Sequence, residues 1–187
     1  LRANPRGRLE GRCSMSGKIV GIVILVIAAI AGITIYYLQV FGFYHEVLVP
    51  KHGVELVSLS TNEPEPILTE NFRGIDAESS PIRYRACFDT SLSLAMLSET
   101  YVVSEDIVPR NAPGWFDCFD AAEIGAELEA GTALTFLSKK NVHFGVDRIV
   151  AITSDGRGYI WHELNDCGDK SYDGTVVGEA CPERPGD

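Results

Sequence analysis

The sequence predicts a single N-terminal transmembrane helix followed by a small α+β extracytoplasmic domain with two disulfides, and three observations support this. Residues 19–38 contain no charged side chain, and uncharged residues continue as far as Tyr44. Four cysteines, Cys87, Cys118, Cys167 and Cys181, all follow that run. Strand-like alternation and helix-like runs then share residues 45–187.

A helix rises 1.5 Å per residue, so an uncharged run of this length matches a hydrocarbon core of roughly 30 Å. Only a helix would satisfy the backbone groups of such a segment in lipid. A secretory signal has a shorter apolar core, about 7–15 residues, that ends at a small-x-small cleavage site. Here Ala29-Ile30-Ala31 lies in mid-run and apolar and aromatic residues continue beyond it, which argues for an uncleaved anchor. Arg2, Arg6, Arg8, Arg12 and Lys18 precede the run against the single acid Glu10, which places that end in the cytoplasm. Tyr36, Tyr37, Phe41, Phe43 and Tyr44 form an aromatic girdle at the outer end.

Residues 1–18 thus read as a short basic cytoplasmic segment and 19–44 as the transmembrane helix with its aromatic interface. Residues 45–187 read as an acidic periplasmic domain of a bacterial inner-membrane protein. Met15, followed by Ser16-Gly17-Lys18, is a candidate true start, so residues 1–14 with Cys13 are set apart from the fold. Gly17, Gly21, Ala28 and Gly32 recur at helical spacing and form a candidate helix-packing face for a membrane-protein partner or a second copy.

Of 26 acidic residues only Glu10 precedes the span, whereas five of the 16 basic ones do, leaving the outer domain at −14. That charge excludes nucleic acid as a natural partner, and likewise tight docking on anionic lipid, while a basic periplasmic protein or a cation would be attracted. An even number of cysteines in an oxidising compartment reads as two disulfides. Three pairings are open. Cys87–Cys118 with Cys167–Cys181 is preferred, because the second pair ties down a turn-rich segment and the first joins two Cys-Phe-Asp repeats, each preceding a helix-like run.

Taken in order, residues 54–60 alternate like a half-buried strand. Residues 62–81, rich in Pro, Glu, Ser and Asn, read as a loop, and 82–88 as a short strand reaching the first cysteine. Asp89 is expected to cap a helix over 90–99, and residues 104–114, with Pro109 and Pro113, form a second loop. Asp120 and Glu123 have capping-box spacing before a helix over 121–130, with Gly131 suited to its C′ position. Residues 134–140 fit helix or strand, and 146–153 and 159–164 flank Asp155-Gly156, a strong hairpin signal.

The search for chemistry nominates no catalytic, cofactor-binding or metal residue. Cys-x-x-Cys, Gly-x-Ser-x-Gly, His-Glu-x-x-His and phosphate-cradling glycine loops do not occur. His45, His52, His143 and His162 lack ligand spacing; His162 follows Trp161 in a strand, so one of the two should face the core and the other outward. Asp147-Arg148 reads as a structural ion pair. A thiol at a helix start has a lowered pKa, which keeps redox exchange at Cys87 and Cys118 as an alternative to a structural bridge. Trp115 and Phe116, within Gly114-Trp115-Phe116-Asp117-Cys118-Phe119, read either as core or as a partner-docking edge.

Met-Ser-Gly-Lys-Ile-Val-Gly from Met15, the run Tyr36-Tyr37-Leu38-Gln39-Val40-Phe41-Gly42-Phe43-Tyr44, and the segments 114–120 and 155–159 resemble a small alphaproteobacterial membrane-protein family. The resemblance covers about Met15 to Cys181 and implies a single-pass membrane protein without an assigned role. The histidine kinase label that some members carry does not fit a chain with no phosphoacceptor-histidine helix and no ATP-binding glycine boxes. The resulting expectation is a non-enzymatic interaction or assembly factor for an envelope or respiratory complex. The alternative is a periplasmic thiol-redox factor or another envelope enzyme.

Overall fold

The computed structural model describes residues 16–183. Arg2, Arg6, Arg8, Arg12, Cys13 and Met15, with the basic-segment and start-site readings that depend on them, lie outside the described residues. The chain divides into two units, Leu1–Gly42 and Phe43–Asp187. In the first, helix α1 spans Gly17–Tyr37 and runs into a single π-helical turn, Leu38–Gly42. Together they form a 26-residue helix that has no buried residue and is, by length and composition, apolar enough to cross a membrane.

The second unit is built mainly of strands. β1 (Tyr44–Val47), β4 (Glu70–Ala77), β5 (Arg85–Asp89), β8 (Arg157–Leu164), β7 (Val146–Thr153) and β6 (Ala133–His143) form a six-stranded antiparallel sheet in that order. A hairpin of β2 (Val54–Val57) and β3 (Pro64–Ile67) stands apart from it. It is tied to the sheet through the segment after helix α2 (Leu94–Thr100). The Val102 N–H donates to Val57 O, and the Leu137 N–H donates to Val102 O.

The central strands are buried on both faces, which explains their continuous apolar runs. On one face Ala86, Phe88, Phe136, Val150, Ile152 and Ile160 pack under Leu56 and Ile67 of the hairpin and Leu97 of α2. On the other, Cys87, Ile149, Ala151, Tyr159 and Trp161 pack under Phe116 and Phe119, which precede helix α3 (Ala121–Glu129), and under Ile124 within it. The result is a β-rich, three-layered unit rather than an even mixture of helix and strand.

Several expectations need correction. Residues 62–81 are not a loop, since β3 and β4 lie within them. Pro64 and Pro66 fit in β3 because it pairs with β2 alone, so the missing donors cost no ladder bond. The period of β4 is broken where Asn71 adopts φ 52° and the register with β5 shifts between Glu70 and Arg73. Helix α2 begins at Leu94 rather than Thr90, because the Ser93 hydroxyl accepts from the Met96 N–H while Asp89 stays in β5 and accepts from Asn71. The ambiguous stretch 134–140 is strand, within β6. Asp120 does cap α3, accepting from Ala122 and Glu123 N–H, and Gly131 follows with φ 71°. The β7–β8 hairpin turns at Gly156, φ 88°.

Candidate functional site

Both disulfides are formed. Cys87–Cys118 has Cα atoms 6.3 Å apart, and Cys167–Cys181 has them 5.0 Å apart. The helix-start argument for the first is half wrong. Cys87 lies inside β5, and only Cys118 stands near a helix start, two residues before the Asp120 cap. The bridge therefore fastens the sheet to the approach of α3. Beside it is a recess of about 220 Å³ lined by both cysteines, Arg73, Asp89, Arg157 and Tyr159.

The charges around this recess are mutually satisfied. Arg73 pairs with Asp117 at 2.8 Å and lies over the Phe116 ring at 5.7 Å. Arg157 gathers Glu123 at 2.9 Å, Glu127 at 2.6 Å and Asp155 at 2.9 Å, and donates to the Tyr159 hydroxyl. Hydrogen bonds from Thr153 and Arg157 hold the Asp155 carboxyl below its usual range, and burial raises the Tyr159 phenol. Cys87 is buried and Cys118 half-buried, so the sulfurs are largely screened from solvent.

His162 does not face outward. Trp161 and His162 are both buried, because the sheet is covered on both sides. The His162 ring stacks on Tyr84 at 4.8 Å, its Nδ1 lies 2.6 Å from Pro81 O, and its Nε2 accepts from Arg148 Nε–H at 3.1 Å. That pattern places the proton on Nδ1. Burial pushes its pKa down to about 4, so the imidazole is neutral at ordinary pH. Asp147 and Arg148 are not an ion pair, because neighbours in a strand point to opposite faces. Asp147 accepts from the Asn141 N–H and the Asn165 amide, while Arg148 goes to His162 and lies 4.6 Å over the Tyr84 ring. The exposed His143 ring meets His162 edge-on at 5.9 Å. Among the described residues no group of three or more His, Cys, Asp or Glu is arranged to hold a metal ion.

Trp115 and Phe116 part ways. Phe116 is buried under the sheet, whereas Trp115 is 39% exposed and meets Tyr44 edge-on at 5.7 Å. Together with Val47, Leu48, Val49 and Phe72 they line a groove of about 370 Å³ along β1. In the other unit, Gly17, Gly21, Ala28 and Gly32 share an arc of about 60° at 100° per residue. They are all exposed, and a Cβ added at any of the three glycines would meet nothing.

Arg85 escaped the sequence reading. It is buried, donates to the carbonyls of Ile82, Tyr84, Arg110 and Asn111, and lies 5.7 Å over the Phe119 ring. Burial lowers its pKa to about 10. It fixes the loop carrying Arg110, which in turn grips Glu163 of β8 through Nε and Nη2. Two of its four carbonyls, those of Ile82 and Tyr84, are local, but those of Arg110 and Asn111 come from a segment 25 and 26 residues away that nothing near Arg85 announces.

Against known proteins, the model of a family of unknown function, DUF6446, matches residues 54–182, from β2 through the second disulfide. No curated protein matches the chain. No solved structure matches it either.

Proposed function

The chain belongs to this family of unknown function, and from that premise we propose a single-pass, membrane-anchored interaction protein whose disulfide-tied domain works in the periplasm. The observation that carries this reading is the joining of a 26-residue apolar helix with no buried residue to a domain closed by two disulfides. An exposed apolar helix of that length is stable only in lipid or against another apolar surface, and disulfides persist in oxidising compartments. Lys18 on the inner side of the helix supports a cytoplasmic N-terminus. The role is to hold or assemble a partner in an envelope or respiratory complex. The small-residue arc of α1 serves a membrane-protein partner or a second copy, and the acidic domain serves a basic one.

Topology is tested by fusing reporters after Asp187. A reporter active only in the periplasm should be active and a cytoplasm-only reporter silent; the opposite pattern sinks the assignment. Mild-detergent purification of the tagged chain should bring down a stoichiometric membrane or periplasmic protein, or a second copy, and recovery of the chain alone as a monomer would remove the interaction role.

A further inference from the structure

Leu48 is 87% exposed, Val49 53% and Trp115 39%, and these three rim the groove whose floor is Val47, Phe72 and Phe116. Glu46 and Arg73 also line it, one acid and one base, so the walls are mixed and carry no net charge. Scattered exposed apolar residues are ordinary, but adjacent Leu48 and Val49 facing an indole across a groove mark a contact surface. Its charge sets it apart from the rest of the domain. Between Phe43 and Gly53 stand one acid, Glu46, and one lysine, Lys51, in a domain whose net charge is −14. The remainder of the surface is repelled by anionic headgroups, and this segment is not. Tryptophan is the side chain most at home at a membrane–water boundary, because its ring is apolar and its N–H needs a polar partner.

Covalent reach names the occupant. Six peptide units separate Gly42, where the helix ends, from Leu48. They extend at most about 21 Å whatever their path. A tether this short gives any surface beside it a high effective concentration, so weak apolar burial suffices for occupancy. We infer that the groove rimmed by Leu48, Val49 and Trp115 seats on the acyl–headgroup boundary of the leaflet into which the chain's own helix inserts. This inference rests on the membrane-anchored reading above.

The chain carries its own probe, since Trp115 and Trp161 are its two tryptophans and Trp161 is fully buried in the sheet. The full chain is placed in phosphatidylcholine nanodiscs with or without bromine on the acyl chains near the headgroup, and each sample is also floated on a density gradient. Brominated lipid should remove most of the emission that Trp115→Phe removes. The pair Leu48→Asp and Val49→Asp should restore that emission while flotation is unchanged. Flotation with Trp115 emission equal in the two lipids overturns the lipid seat and leaves the anchor standing. Failure to float overturns the anchor itself. Loss of a dimer in the Leu48→Asp, Val49→Asp variant, without quenching in the parent, assigns the groove to a second copy and also overturns the seat.

Discussion

At the residue scale the buried His162 imidazole is held neutral between one carbonyl and one guanidinium. His162 is held by Pro81 O and Arg148, under Tyr84 and beside His143, and nothing in that shell favours its protonated ring except the Pro81 carbonyl. Its folded pKa of about 4 lies below the ordinary 6.5, so the unfolded chain binds the proton first as pH falls. Stability from this group is full above about pH 6.5, declines as pH falls toward 4, and levels off below that. The shift corresponds to about 3 kcal/mol at most. Glutamine can accept from Arg148 and donate to Pro81 without titrating. Urea midpoints of the parent and His162→Gln should therefore converge as pH drops from 7 to 4.5; parallel curves would show that His162 does not titrate on unfolding.

At the element scale the pairing of β8 with β5 depends on what glycine lacks. Gly158 lies directly across from Phe88, and a Cβ there would stand 2.1 Å from the Phe88 ring, itself buried. Gly158→Ala should lower the urea midpoint by an amount equivalent to about 1–3 kcal/mol, because the ring must leave its rotamer. Gly125 in α3 has open space around its Cβ position and no strained φ, so Gly125→Ala should raise stability by about 0.5–1 kcal/mol. Equal midpoints for the two variants would contradict the packing described.

The same strands show what local sequence can convey. Asp155-Gly156 and the apolar runs of β7 and β8 were legible because turn chemistry and β-propensity act within a few residues. So was the Asp120 cap, whose donors lie two and three positions away. β4 was hidden by a bulge at Asn71 that breaks alternation, and β3 by prolines that only an outlying hairpin tolerates. The surroundings of His162 were illegible for a different reason, since Pro81 and Tyr84 reach it across the fold. Alternation says which face a side chain takes but not whether that face is covered.

At the scale of the whole molecule, the interaction role proposed above has two independent candidate routes, the exposed arc of Gly17, Gly21, Ala28 and Gly32 and the acidic domain. Gly21→Leu with Gly32→Leu adds bulk where another helix backbone would approach, yet leucine remains favourable in hydrocarbon. Protein level and membrane insertion should persist while the co-purifying membrane partner or second copy is lost. Undiminished association would move the contact to the acidic domain. Complex formation should then weaken as salt rises from about 50 to 500 mM, where the Debye length contracts from roughly 14 to about 4 Å.

The strand order has a consequence for the nascent chain. β5 and β8 are neighbours at the centre of the sheet, with Arg85 opposite Trp161, so the two halves β1-β4-β5 and β6-β7-β8 meet only along that seam. Each half closes through shorter-range pairings, but the seam cannot be sewn until the last strand has emerged. As the chain folds, β1, β4 and β5 can pair before β8 is available, and until then the β8-facing edge of β5 stands uncovered. Long-range closure of this kind is slow compared with hairpin formation. The unfinished seam is thus the edge at which a misplaced strand can pair.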